Sequence, residues 1–218
     1  MVGEKNIEKR YNAGDYESIV KDWPSEDALV GLTPKELMMI AWAHHHRLNA
    51  TVKNLSDIER NRIRALIISI TDKVMNGGGD KEDKISALKL EPLHLWGLGF
   101  EERAISRVEA AIALYPEDSG IWNTRALLEL YGKRFKECTA TSAVVIGLAV
   151  TANDLRTAGN GSRQMAIAIK EATKCIPAAI GWLDQAISFW KKSQEETGWD
   201  ANIHIQGARK LVEQWHKA

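Results

Sequence analysis

The stretch from Gly99 to Leu148 repeats similar residues at a fixed distance. It predicts a helix, a break at Tyr115-Pro116, a second helix, a turn at Gly132 and a third helix. The residues that recur 34 positions apart are Leu88 and Trp122, Ala104 and Cys138, and Ala111 and Val145. This period is typical of helix pairs that stack on one another, because a single pair cannot bury its own apolar face.

Apolar residues elsewhere also follow the spacing of amphipathic helices. One stripe runs from Ile63 to Val74, a second from Ala104 to Tyr115 and a third from Ala208 to Trp215. No alternating apolar run is accompanied by the turn residues of a hairpin. The sequence therefore predicts an all-α fold of about nine or ten helices in antiparallel pairs.

Helix starts and stops divide the chain further. Thr33-Pro34 predicts a helix start, and Ser56 can cap a helix that runs to about Met75. The clearest linker is 76–80, and the Gly-rich stretch Ala158–Ser162 predicts a second break.

These breaks suggest three parts of one continuous domain. Residues 1–76 form N-terminal helix pairs that include a degenerate repeat, and residues 81–150 contain the best repeats. Residues 151–218 are expected to pack on the stack or cap it, with Pro177 opening one helix and Gly198 ending it.

The best repeat resembles the tetratricopeptide repeat. Trp122 stands at the family's tryptophan, Ala126 at its small residue and Gly132 at its inter-helix turn. Phe135 matches the aromatic that opens the second helix, and Cys138 stands where Ala is usual. The resemblance implies antiparallel helix pairs stacked as a right-handed α-α superhelix. It also implies that Trp122 and Phe135 are largely buried.

Other parts of the chain match this family less closely. Pro116 fits the close of the preceding repeat, and Gly14-Asp15-Tyr16-Glu17 resembles the turn between paired helices. Pro92 falls where a first helix needs a small residue, so that helix is expected to be kinked or to start late. Three further departures, which stand where the family has Leu, Tyr and Phe, are Arg125, Glu129 and Ser142.

In this family the first helix of each pair lines a concave groove that holds another protein or a peptide. Carried over by position, the resemblance implies nine groove residues. They are Met38, Trp42 and His45; Lys89, Leu93 and Trp96; and Asn123, Leu127 and Leu130. Only Lys89 and Asn123 match the Lys, Asn and Arg side chains with which some members bind a C-terminal carboxylate, so such a clamp is a minor alternative.

Charge and composition restrict the partners. Lys plus Arg and Asp plus Glu number 29 each, so no net charge attracts nucleic acid or an anionic membrane. No run reaches the ~18 apolar residues of a membrane span, and the N-terminus lacks the apolar part of a secretory signal. Cys138 and Cys175 are too few for a disulfide scaffold. We expect buried free thiols and a cytoplasmic protein.

His44-His45-His46 is the most conspicuous polar cluster. Consecutive helix residues point ~100° apart, so these three cannot bind one metal from one face. We expect a polar helix end with one histidine toward the groove. Gly77-Gly78-Gly79 lacks the Lys-Ser/Thr pair of a phosphate loop, and no catalytic motif is present, so we expect no cofactor and no metal.

These features favour a non-enzymatic interaction module or scaffold that binds a peptide or partner protein in its concave groove. One alternative is an α-helical enzyme or small-ligand or metal-binding protein that uses the His44–His46 region. A nucleic-acid-binding helical repeat is a second alternative, which the balanced charge disfavours.

Overall fold

Helices dominate the computed structural model, which describes residues 6–51 and 53–217. These residues form eleven α-helices and no strand, so the prediction of an all-α fold is confirmed. The count exceeds the nine or ten expected, since two short helices lie near the N-terminus. The helices are α1 (Ile7–Asn12), α2 (Tyr16–Asp22), α3 (Pro34–Thr51), α4 (Asp57–Asn76), α5 (Lys81–Gly97), α6 (Glu101–Leu114), α7 (Ser119–Tyr131), α8 (Phe135–Thr151), α9 (Leu155–Thr173), α10 (Ile176–Thr197) and α11 (Asn202–His216), and a 3₁₀ helix, Glu26–Leu29, follows α2.

The chain divides into two compact units, Met1–Arg107 and Val108–Ala218, and the division falls within α6. In the first unit α3 packs on α4 and α4 on α5, and in the second each helix from α7 to α11 packs on the next. Alternate helices also touch, because α3 contacts α5 and α7 contacts α9. The segment boundaries predicted after residues 76 and 150 lie at turns between helices that pack directly on each other.

Helix ends agree with the predicted capping residues. Ser56 Oγ accepts the amide hydrogen of Glu59 at 3.2 Å, and the Glu59 carboxylate accepts the Ser56 amide hydrogen at 2.9 Å. Pro34 opens α3, and Gly198 follows α10 in the left-handed conformation with φ 71°. The helix starts and the stop predicted at these positions are confirmed.

Two further predictions concern residues that resemble the repeat, the turn at Gly14 and the helix that contains Pro92. Gly14 lies between α1 and α2 with φ 72°, and Asp15 caps α2, so the predicted turn between paired helices is confirmed. A kink or a late start was predicted at Pro92; Pro92 lies inside α5, which runs without a gap from Lys81, so the helix does not start late.

The break predicted at Ala158–Ser162 is also wrong, because these residues lie inside α9. The glycines permit close helix contacts rather than a turn. A Cβ atom at Gly159 would lie 2.4 Å from Nε1 of Trp190 on α10. One at Gly161 would lie 2.9 Å from Cγ1 of Val145 on α8. The packing of α9 against both neighbours therefore requires glycine where sequence reasoning predicted a loop.

The repeat's packing positions form a core cluster in the second unit. Ala126 and Cys138 are fully buried there. Trp122 and Phe135 pack against the cluster and are partly buried. The Trp122 indole N–H donates to the Pro116 carbonyl oxygen at 2.7 Å, which fixes the ring at the turn before α7.

Two residues that depart from the repeat pattern form an ion pair with each other. Arg125 Nε donates to Glu129 Oε1 at 2.7 Å, one turn along α7. A second arginine nitrogen donates to Glu109 Oε1 at 2.6 Å. Glu129 is only 2% exposed, and its Oε2 has no hydrogen-bond partner among the described residues. A charged pair therefore occupies positions where the family has Leu and Tyr.

Both cysteines are free thiols. Cys138 is buried, but Cys175 is exposed at the start of α10, so its predicted burial is wrong. No helix formed by the described residues combines the length and hydrophobicity of a bilayer-spanning segment.

We predict that Arg125→Leu destabilises the second unit by about 3–5 kcal/mol, because it leaves the buried Glu129 carboxylate without its cation. Arg125→Leu combined with Glu129→Tyr introduces the residues that the tetratricopeptide repeat has at both positions and should recover most of that loss. Urea denaturation followed by circular dichroism measures both variants. A double variant no more stable than the single one would show that these are not the repeat's apolar packing positions.

We also predict that Gly159→Ala destabilises the chain by about 1–3 kcal/mol, although alanine is the better helix former. The fully buried Trp190 ring has no room to move away from the new methyl group. Gly181→Ala in α10 is the matched control, because no atom lies within 4 Å of its added Cβ. It should stabilise the chain by about 0.5–1 kcal/mol. Equal denaturation midpoints for the two variants would contradict the close contact.

Candidate functional site

The predicted groove residues of α3 are spaced one helical turn apart, but they are not equally accessible. Met38 is 4% exposed and belongs to the core of the first unit, so its predicted role as a groove contact is wrong. Trp42 and His45 are half-buried and keep part of their rings at the surface. These two side chains form the accessible part of the predicted α3 set.

Directional hydrogen bonds connect α3 with α5. The Trp42 indole N–H donates to Ser86 Oγ at 2.8 Å. His45 Nδ1 lies 3.1 Å from His94 Nε2, and the Asn49 amide lies 2.9 Å from His45 Nε2. With the Asn49 amide donating to Nε2, His45 carries its proton on Nδ1 and donates it to His94. Polar side chains therefore join α3 and α5, the two helices that were predicted to be the first of their pairs and to line the groove.

Ring contacts extend this group. The His46 ring stacks on Tyr16 with centroids 4.5 Å apart, and the Trp42 ring meets His45 edge to face at 5.3 Å. We call Tyr16, Trp42, His45, His46 and His94 the aromatic cluster. It places large, flat side chains at a partly exposed junction of helices, which is the environment in which aromatic anchors bind partners.

The three consecutive histidines point to three different partners, as the helical geometry predicts. His44 lies 2.9 Å from the Trp23 carbonyl oxygen, His45 meets His94, and His46 stacks on Tyr16. Among the described residues, no group of three or more His, Cys, Asp or Glu side chains is placed to hold a metal ion.

Burial keeps His45 and His94 neutral at pH 7. It lowers the pKa of His45 to about 4, with a smaller contribution from His46. Burial also lowers the pKa of His94 well below its ordinary value, and His45 and Arg64 act in the same direction. The imidazoles therefore serve as hydrogen-bonding groups and present no positive charge to a ligand.

The predicted groove residues of α5 are Lys89, Leu93 and Trp96, and all three are half-buried. Two residues that were not predicted, Ser86 and His94, hold α5 against α3. They are eight positions apart, so they lie on one stripe of the helix. A serine and a histidine on an otherwise apolar stripe were the only indication of this role in the sequence.

Asn123, Leu127 and Leu130 lie half-buried on α7 in the second unit. The Asn123 side-chain oxygen accepts from Gln164 Nε2 on α9 at 2.8 Å. This bond occupies one of the two lone pairs of the Asn123 oxygen and ties the side chain to α9. Leu130 packs against the Ala126 core cluster, which leaves Leu127 the least committed of the three.

No protein-family model matches this chain, and no curated protein matches it in sequence. The resemblance to the tetratricopeptide repeat therefore depends on the residues and the packing described above.

We predict that acid destabilises the first unit through its buried histidines. Because the folded-state pKa of His45 lies below the ~6.5 of an unfolded histidine, the unfolded chain binds the proton first. The free energy of unfolding should then fall between about pH 6.5 and pH 4, by up to ~1.4 kcal/mol per pH unit for each such histidine. Urea denaturation at several pH values measures this slope.

The dependence of the free energy of unfolding on pH should become shallower in His45→Gln, because this variant removes one titrating group. Asn49→Ala is the control, since it removes a hydrogen bond to the same ring and retains the histidine. A His45→Gln slope parallel to that of the native chain would contradict the role assigned to His45.

Proposed function

We propose that this chain is a non-enzymatic protein–protein interaction module, whose helix pairs stack as a tetratricopeptide-like superhelix. Three features support this arrangement. Consecutive helices from α1 to α5 and from α7 to α11 pack on one another, α3 contacts α5 as α7 contacts α9, and the repeat's Ala126 and Cys138 positions are fully buried. Contacts between alternate helices are those expected when first helices of successive pairs lie side by side.

The proposed binding surface lies on α3 and α5. The observation that supports it most directly is the row of half-buried side chains on these two helices. The row consists of Trp42, His45, Lys89, Leu93 and Trp96. Tryptophan contributes a large contact area with few rotatable bonds, so covering such rings supplies much of the affinity of an interface. Leu127 on α7 is a further proposed contact in the second unit.

The chemistry of this surface favours a peptide or protein segment with apolar side chains. The imidazoles of His45 and His94 are neutral, so they offer hydrogen bonds and no strong field for a polyanion. The balanced charge of the whole chain agrees with this preference and makes nucleic acid an unsuitable partner. The free thiols Cys138 and Cys175 are compatible with a reducing compartment, and we propose that the module works in the cytoplasm.

Affinity capture with the tagged chain tests this proposal. Trp96→Ala should release the captured partner by removing about 2 kcal/mol or more of binding free energy, which lowers the affinity roughly 30-fold. Ile58→Ala is the matched control, because this apolar side chain is 82% exposed and lies in the same unit on α4, which carries no residue of the row. Quantitative mass spectrometry of the captured proteins and the thermal midpoint of each variant are the two measurements.

The expected result is partner loss with Trp96→Ala and not with Ile58→Ala, at an unchanged thermal midpoint. Trp42→Ala should also weaken capture, although the loss of its bond to Ser86 adds a cost in stability. If Trp96→Ala instead unfolds the first unit, or captures the same proteins as Ile58→Ala does, the row on α5 is not the binding surface.

A further inference from the structure

A tryptophan in the second unit, in the turn between α10 and α11, contacts basic side chains of two helices. The Arg156 guanidinium lies over the Trp199 ring, 4.6 Å from the ring centroid. The His204 ring lies next to the same indole, with centroids 5.1 Å apart, and its centroid is 5.3 Å from that of the buried Trp190. Trp199 therefore contacts an arginine of α9 and a histidine of α11 at once.

Arg163 adds a second guanidinium. It lies seven positions after Arg156, which is two helical turns, so both side chains leave the same face of α9. Burial lowers the pKa of His204, and the positive charges of Arg156 and Arg163 act in the same direction, so both arginines lie near enough to repel a proton on this imidazole. We call Arg156, Arg163, Trp199 and His204 the arginine cluster.

The positive charge of the arginine cluster is not neutralised within the described part of the chain. There, neither Arg156 nor Arg163 forms an ion pair with a carboxylate, unlike Arg125 on α7, which lies 2.7 Å from Glu129. Two acidic side chains close to the cluster in sequence, those at 154 and 200, accept backbone amide hydrogens at the starts of α9 and α11. The chain as a whole has no net charge, so the two arginines are a local excess.

These groups are open to a ligand. Arg156 and Arg163 are exposed, and Trp199 and His204 are half-buried. The contact with Trp199 uses the charge of the Arg156 guanidinium and none of its N–H donors, which stay available to a planar anion. A Cβ atom at Gly207, one turn after His204, would meet no atom within 4 Å, so the space beside this part of α11 is empty.

We propose that the arginine cluster binds an acidic segment of a partner protein, in which two carboxylates lie three residues apart. Arg156 and Arg163 are separated by about 10.5 Å along α9, because each helical residue rises 1.5 Å. Side chains three residues apart in a peptide with polyproline II conformation point the same way and are separated by about 9 Å. One carboxylate therefore pairs with each guanidinium, and the uncharged His204 ring supplies a further N–H donor.

This spacing favours two single charges over one double charge. A phosphate group would need both guanidiniums at one point, whereas the contact with Trp199 holds that of Arg156 near the start of α9. The proposal rests on the proposed function only in taking the ligand to be a peptide. It concerns the second unit, while the row on α3 and α5 belongs to the first, so a Trp96→Ala result decides nothing about the arginine cluster.

Nuclear magnetic resonance on the full chain with ¹⁵N-labelled arginine tests the proposal through the Nε–H resonances of Arg156 and Arg163. The probe is a glycine hexapeptide with two glutamates three positions apart, blocked at both ends so that it has no terminal charge. It should shift both resonances saturably, with an affinity about tenfold above that of the same peptide with glutamines. If the glutamine peptide binds as well, or neither resonance shifts, the proposal is wrong.

Three further probes separate an acidic peptide from other anions at about 0.15 M salt, where exposed charges are screened. They are a hexapeptide with adjacent glutamates, inorganic phosphate and a single-stranded oligouridylate. The peptide with spaced glutamates should shift both resonances at a lower concentration than any of them. If phosphate or the oligouridylate shifts them at a lower concentration, or the adjacent glutamates bind as well, the assigned partner is wrong.

Variants of single arginines locate the contacts. Arg156→Gln and Arg163→Gln each remove one charge and retain a polar side chain, and each should weaken binding of the spaced-glutamate peptide about tenfold. Arg209→Gln is the matched control, because this exposed arginine lies five positions after His204, on a different side of α11. It should change the affinity less than about twofold. Native affinity in both α9 variants, or an equal loss in Arg209→Gln, would overturn the assignment.

Discussion

The close approach of neighbouring helices is the constraint on which both units depend. A single amphipathic helix cannot shield its apolar face, so each must lie against the next, and small residues determine how near it comes. Ala41 and Ala87 are fully buried in the first unit, as Ala126 and Ala158 are in the second. At Gly159 even a methyl group is too large. The larger side chains fill the space that these small residues define.

Much of the fold could be predicted because helix periodicity and capping are local properties. The stripe after Ile63 and the cap at Ser56 concern residues a few positions apart, and both reappear in α4. The Gly-rich stretch of α9 was misinterpreted because its cause is the Trp190 ring on another helix. A glycine that makes room for a distant side chain has the same appearance in a sequence as one that forms a turn.

The candidate site was only partly predictable for the same reason. Position in a repeat-like helix placed Met38 in the same predicted groove set as Trp42 and His45, but Met38 faces the core. His94 was missed because its partner lies 49 positions earlier in the chain.

The bonds between α3 and α5 restrict how these helices can slide. Apolar contacts are non-directional, and a shift of one turn, about 5.4 Å, can replace one set of aliphatic contacts by another. The bond from Trp42 to Ser86 and that between His45 and His94 have no such substitute, because a one-turn shift separates both pairs at once. The two polar contacts thus select a single register for the helix pair.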